Sequence, residues 1–126
     1  MNFPRLILFL GAAFFLLYGL AFALFPAAVS TLVTGDAPSQ AAPLVDFRAT
    51  YGGMTMGVGA VLVYLDRINQ VNAGLIGLIL VLMLMAATRG IGMLMEGTGN
   101  SLMVVFLVAE VASSALAWWA LKQNAS

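Results

Sequence analysis

The sequence predicts an all-α protein built as an integral membrane four-helix bundle, and three observations carry that expectation. Of 126 residues, 63% are hydrophobic and only 8% charged, against ~45–50% apolar and ~25% charged in an ordinary soluble domain. The mean hydropathy is +1.05, so there is too little polar surface to cover a core in water. The apolar residues fall into four long runs parted by short polar or glycine-rich breaks. Each is long enough for ~30 Å of helix at ~1.5 Å per residue, the depth of a hydrocarbon core. The length suits one domain, 1–126, with spans at about 4–25, 45–65, 73–95 and 101–121 and an outer loop at 26–44.

The first span rests on the uncharged run Leu6–Phe25. Arg5 before it and the small residues Ala21 to Ala23 also fit a secretory signal peptide, but the run exceeds the ~7–15 residues of a signal core. Pro26, Gly35, Pro38 and Pro43 then punctuate the one long connection. Within it Val29, Leu32 and Val33 fall at helical spacing opposite Ser30, Thr31 and Thr34, with Gly35 placed to stop the turn, which reads as a short interfacial helix. The second span carries Asp46 and Arg48 at its start and Asp66-Arg67 beyond its end. The third is uncharged until Arg89 and closes at Glu96-Gly97-Thr98-Gly99-Asn100, a composition suited to tight reversal. The fourth holds a single ionisable residue, Glu110, near its middle.

Charge sets the expected orientation. Arg5, Arg67 and Lys122 share one side of an even-numbered topology, which the positive-inside rule makes cytoplasmic, with both termini there and the bilayer a plasma membrane. Tyr64, Trp118 and Trp119 sit just inside the same boundary, where amphipathic rings favour the headgroup level. The five basic and five acidic residues cancel, leaving no basic stripe for nucleic acid. Cysteine and histidine are both absent, which removes thiol nucleophiles, Cys/His metal sites and a histidine base. Met83, Met85, Met93 and Met95 do not share a helical face, so they read as packing and not as copper ligands. No metal, cofactor or catalytic group is expected.

An ionisable side chain at the centre of a membrane helix costs at least ~2.5–3.5 kcal/mol unless paired or hydrated. Counting at ~1.5 Å per residue from the outer boundary, Arg48 lies roughly 5 Å deep, Arg89 roughly 10 Å and Glu110 roughly 14 Å. Both guanidiniums are then expected to reach Glu110, with Asp46 as a second acceptor, giving a neutral group of four in the outer half. Arg48, Gly52, Thr55 and Gly59 make one face of the second span, with Tyr51 beside it. Gly53 and Gly57 form a G-x-x-x-G pair, and Ala109, Ser113 and Ala117 repeat the small-xxx-small pattern on the fourth, both allowing close helix approach. The polar cluster has two readings: an interhelical ion-pair network that fixes register, or a site for an anionic or carbonyl-bearing ligand such as a lipid headgroup.

Residues Gly19–Ala27 (GLAFALFPA), Asp46–Gly53 (DFRATYGG), Arg89 and Glu110 resemble the corresponding stretches of a family of small bacterial four-span proteins, the domain of unknown function 4345. The resemblance covers nearly the whole chain, and the helix 2 motif is its specific part. It implies that Arg48, Tyr51, Gly52, Gly53, Arg89 and Glu110 occupy the family's recurring polar positions, and that Asp46 stands where many members carry glutamate. It brings no activity with it.

The functional expectation is a non-enzymatic membrane protein, either an accessory subunit or a binder of a lipid or small hydrophobic or anionic ligand. Its partners would be membrane lipids, further copies of itself or a larger membrane complex, and not nucleic acid. The alternative is a small transporter or channel that uses Arg48, Arg89 and Glu110 as site or gate; two arginines on one glutamate argue against proton-coupled cation transport.

Overall fold

The computed structural model of the protein describes residues 2–97 and 99–125. Thr98, part of the expected reversal at 96–100, lies outside the described residues, as do Met1 and Ser126. All regular structure among the described residues is helical.

Helix α1 spans Phe3–Leu24. Asn2 caps it by accepting from the Arg5 amide at 3.2 Å, and Pro4 falls in the first turn, where a missing N–H costs nothing. Leu8, Ala12, Phe15, Gly19 and Phe22 recur at helical spacing and are all buried. Pro26 then opens α2 (Pro26–Thr34), and Gly35 ends it in the left-handed region, φ 90°, with its N–H on the Thr31 carbonyl. A short helix thus forms inside the long connection, but its faces differ from expectation. Ser30 is buried together with Val33 because its hydroxyl donates to the Asp36 carbonyl at 2.9 Å, whereas Leu32 turns outward.

The expected second span is not one regular helix. Helical backbone begins at Ala41 and not near 45, since Pro43 sits in the first turn and is tolerated there. It passes through α3 (Ala41–Phe47, 7 residues), a π-helical segment Arg48–Met54 of 7 residues, and α4 (Thr55–Arg67, 13 residues). After the turn at 68–70, with Asn69 at φ 59°, α5 runs Val71–Met95 and α6 runs Ser101–Ala125, each of 25 residues. Asn100 starts α6 by accepting from the Met103 amide at 2.9 Å, and its Nδ2 donates to the Val33 carbonyl at 2.8 Å, so α2 is tied to the α5–α6 turn. Three helices, α1, α5 and α6, are long and apolar enough to cross a membrane.

With the unbroken run Ala41–Arg67 taken as one, the long helices alternate in direction and pack chiefly as two pairs, α1 with the π-helical segment and α4, and α5 with α6. Where α1 meets its partner, glycines bring the two backbones close, with the Met56 and Leu16 side chains beside them. A Cβ placed on Gly19 would stand 2.7 Å from the Met56 backbone nitrogen and 2.8 Å from the Gly52 oxygen. One on Gly52 would stand 2.9 Å from the Ala23 nitrogen, and one on Gly59 2.9 Å from the Ala12 oxygen. The seam is therefore backbone against backbone, as small residues permit in hydrocarbon. Below it Leu8, Ala12, Phe15, Leu62, Leu75 and Leu78 share the core with Ala117 and Ala120 of α6. At the end bearing the termini, Arg5 contacts Asp66 and Asn69, and Asn124 donates to Asn72 at 2.6 Å. Phe3 meets Trp119 edge-on at 5.0 Å there, and Lys122 lies over the Trp118 ring.

Candidate functional site

The α5–α6 pairing places Arg89 opposite Glu110. The guanidinium donates through Nη2 to Oε1 at 2.7 Å and through Nε to both oxygens at 3.2 Å. Glu110 is only 6% exposed, while the Arg89 side chain keeps 21% of its surface. The guanidinium also lies over the Phe106 ring, 5.4 Å from its centroid, a cation–π contact from one turn before the glutamate. Removing either ion alone would leave an uncompensated charge among apolar side chains, which makes the pair an obligate unit.

Arg48 does not join it. Its Nη1 donates to the Ala23 carbonyl and, at 3.3 Å, to the Leu24 carbonyl, in the last turn of α1. Those oxygens are unpaired helix-terminal acceptors at the negative end of the α1 dipole. The Gly52–Ala23 contact clamps the π-helical segment against α1 and so brings these acceptors to the arginine. Asp46 is exposed and takes only a long 3.5 Å contact from Thr50. The expected neutral group of four is thus corrected to a single pair, and the ion pairs among the described residues are Arg89–Glu110 and Arg5–Asp66.

Tyr51 is half-exposed and packs between Phe22, at 5.2 Å, and Phe47, at 5.3 Å. Phe22 in turn meets Tyr18, and Tyr18 stacks on Phe14 and points an edge at Phe106. An aromatic chain therefore connects the helix 2 motif to the Arg89–Glu110 pair, and neither tyrosine hydroxyl has a hydrogen-bond partner among the described residues. Tyr18 escaped the sequence reading. Its signal was present, since it is the one polar handle in the apolar run Leu6–Phe25 and a buried tyrosine seeks a partner.

The helix-packing residues divide. Gly52 and Gly59 lie in the α1 seam, but Cβ atoms at Gly53 and Gly57 would meet open space or only an ordinary contact. Their G-x-x-x-G spacing faces away from the rest of the chain, which corrects the expectation that it packs helices here; a helix has more than one face, and the seam took the other. Ser113 is exposed, whereas Ser114, one turn from Glu110, is buried with its hydroxyl unpartnered. On α6 the inward stripe is Glu110, Ser114, Ala117 and Ala120, and Ala109 and Ser113 are turned out of it.

Ser113 instead helps line a cleft of about 340 Å³ between α1, α5 and α6. Its walls include Leu10, Phe14, Leu78, Leu82, Phe106 and Leu116, and apart from Ser113 the only polar side chain on them is Glu110. From Val105 to Leu116 it extends along α6 for roughly 16 Å at the helical rise. Glu110 lies near the middle of that length, and from it the cleft continues past Ser113 to Leu116 on the side of the chain termini. Among the described residues no three Asp or Glu side chains come together as metal ligands would.

An all-helical chain with three helices suited to a bilayer and an ion pair set among apolar side chains has the make-up of an integral membrane protein. The chain belongs to the family described as Domain of unknown function (DUF4345), which matches residues 3–121. The motif Asp46–Gly53 that carried the resemblance runs from the end of α3 into the π-helical segment, which holds Arg48–Gly53, a backbone form that recurs at functional sites. No curated protein and no solved structure gives a significant match.

Proposed function

We propose that the protein crosses the plasma membrane four times with both termini cytoplasmic, and acts without catalysis by binding a lipid-like or small hydrophobic ligand in the cleft between α1, α5 and α6. For the fourth crossing, α4 alone is too short to span ~30 Å, but α3, the π-helical segment and α4 follow one another without a break, and the π-helical segment and α4 lie against α1. Arg5, Arg67 and Lys122 and the rings of Trp118 and Trp119 belong to one end, which supports the orientation. Reporters fused after Gly35 and Gly97 should then read as periplasmic, and those after Asn69 and at the carboxyl end as cytoplasmic. A cytoplasmic signal at Gly35 overturns this topology.

The observation that carries the binding reading is the cleft itself: concave, almost wholly apolar, with one buried carboxylate, Glu110, on its wall, as small-molecule sites are built. Its volume is at the low end of the ~300–1,000 Å³ range of such sites, which favours one acyl chain or a compact ring over a whole phospholipid. A catalytic reading lacks support, since Glu110 is engaged by Arg89 and makes no hydrogen bond to Ser113 or Ser114 among the described residues. Transport through Arg48, Arg89 and Glu110 as one gate is weakened because Arg48 is held by α1. Native mass spectrometry of gently extracted protein tests the proposal: a non-covalent mass should accompany the wild type and vanish in Leu116→Trp, which fills the cleft. Protein that carries no such mass, or carries it equally in the variant, overturns it.

A further inference from the structure

The chemistry of the cleft wall narrows the ligand class, on the footing that the cleft is the binding site. Glu110 is the one ionisable side chain on the wall, and Arg89, outside the lining, neutralises it from 2.7 Å, so the wall has no net charge to offer. A cation or an anion entering the cleft would bring an uncompensated charge among leucine and phenylalanine side chains, which is strongly unfavourable. Hydrogen-bonding capacity is different. A carboxylate can accept about four hydrogen bonds; here Oε1 takes two from Arg89 and Oε2 takes one, at 3.2 Å. The second oxygen therefore retains acceptor capacity. Ser113, three residues further along α6 and on the same wall, has a hydroxyl without a protein partner among the described residues. It can accept from, or donate to, the same ligand group. Beyond these two residues the wall offers only apolar contact.

We infer that the cleft takes a neutral amphiphile with a single apolar chain or compact ring and a hydroxyl group, the hydroxyl donating to the free face of Glu110 and pairing with Ser113, and the apolar part lying towards Leu116. A hydrocarbon without a donor fills the same space but leaves the carboxylate and Ser113 unmatched. An ammonium head matches the hydrogen bonds but not the charge, and a carboxylate head has no donor for Glu110 and fails on both counts.

Photolabelling of the full chain in lipid nanodiscs tests this, using four diazirine probes of equal chain length ending as an alcohol, an alkane, a carboxylate or an ammonium. Labelling is mapped to peptides covering residues 7–15 and 105–116. The alcohol should label these peptides about tenfold more than the alkane, the size expected for one hydrogen bond to a charged acceptor, and neither ion should exceed the alkane. Ser113→Ala, at an exposed position, should lower alcohol labelling severalfold and leave the alkane unchanged. The double variant Arg89→Leu with Glu110→Leu strands no charge and should abolish the alcohol preference while alkane labelling persists. Equal labelling by alcohol and alkane, or a lead by either ion, overturns the hydroxyl assignment and leaves the cleft standing as a site. Absence of labelling there by all four probes, or labelling that Leu116→Trp does not reduce, overturns the binding reading itself.

Discussion

The two helix pairs are held together by opposite means. Between α1 and the run Arg48–Arg67 the contact is made by what is missing: at Gly19, Gly52 and Gly59 the partner backbone comes within 3 Å of where a Cβ would be. Between α5 and α6 the contact is made by side chains, with one buried ion pair near the middle and an amide pair, Asn72 with Asn124, at the end. In hydrocarbon no hydrophobic force drives helices together, so close packing and polar contacts between helices must supply the association. The difference teaches where adjustment is possible. A backbone seam cannot shift by a few tenths of an ångström without collision, whereas side chains can swing. The cleft accordingly opens beside the second pair, where α1 meets α5 and α6 less closely than it meets α4.

The sharpest way to break the second pair is to remove one ion. Glu110→Leu and Arg89→Leu should each cost about 3–5 kcal/mol, because each leaves a buried charge without its partner. The double variant should lose less than the two single losses together, since neither charge then remains. Thermal unfolding in nanodiscs reads all three, with Glu96→Leu, at an exposed position, staying within about 0.5 kcal/mol of wild type. Strict additivity at 89 and 110 would sink the pairing. Arg48→Leu combined with Glu110→Leu should be additive, because Arg48 bonds to the α1 carbonyls; coupling between those two would restore the larger cluster.

The first pair breaks by addition. Gly19→Leu or Gly59→Leu forces a side chain into the Met56 or Ala12 backbone and should cost about 1–3 kcal/mol or somewhat more, as overpacking does where no flexible neighbour can yield. Gly53→Ala and Gly57→Ala face open space and should stay within about 0.5 kcal/mol, with a small gain from helix propensity. The same thermal measurement separates the two sets. Should Gly57→Ala prove as damaging as Gly19→Leu, the outward glycine face is covered in the folded protein after all.

Much of this was legible in the sequence. Hydropathy runs located α1, α5 and α6, and Gly35 marked the stop of a short helix, because each depends on local composition alone. The inward turn of Glu110 and its union with Arg89 were also legible, since the cost of a charge in hydrocarbon leaves few alternatives. What failed depended on the third dimension. Depth along the membrane allowed Arg48 to reach Glu110, but depth does not record which helix end stands nearer, and the α1 terminus offered carbonyls first. Spacing likewise marked two glycine stripes on one helix without telling which would find a partner. The π-helical segment left no periodicity by which to be recognised, although the motif Asp46–Gly53 overlies it.

The smallest expected effect lies at the terminal ends of the two pairs, where the contrast becomes one of charge against amide. Arg5 Nε stands 3.6 Å from Asp66 Oδ1, with both side chains a little over a third exposed, and Arg5 also donates to Asn69 at 2.5 Å. An exposed pair of this kind contributes about 0–1 kcal/mol, and the Asn69 contact survives the loss of the aspartate. Asp66→Asn should therefore lower stability by no more than about 1 kcal/mol. Salt then identifies the cause. At roughly 1 M the Debye length is about 3 Å, so wild type should lose most of its advantage while the variant changes little. Asn124→Ala, which removes the neutral Asn72 contact, should show the same deficit at low and high salt. A salt-independent deficit for Asp66→Asn would assign the effect to an amide donor left without an acceptor at the buried Oδ1 position, which has no hydrogen-bond partner among the described residues, and not to charge.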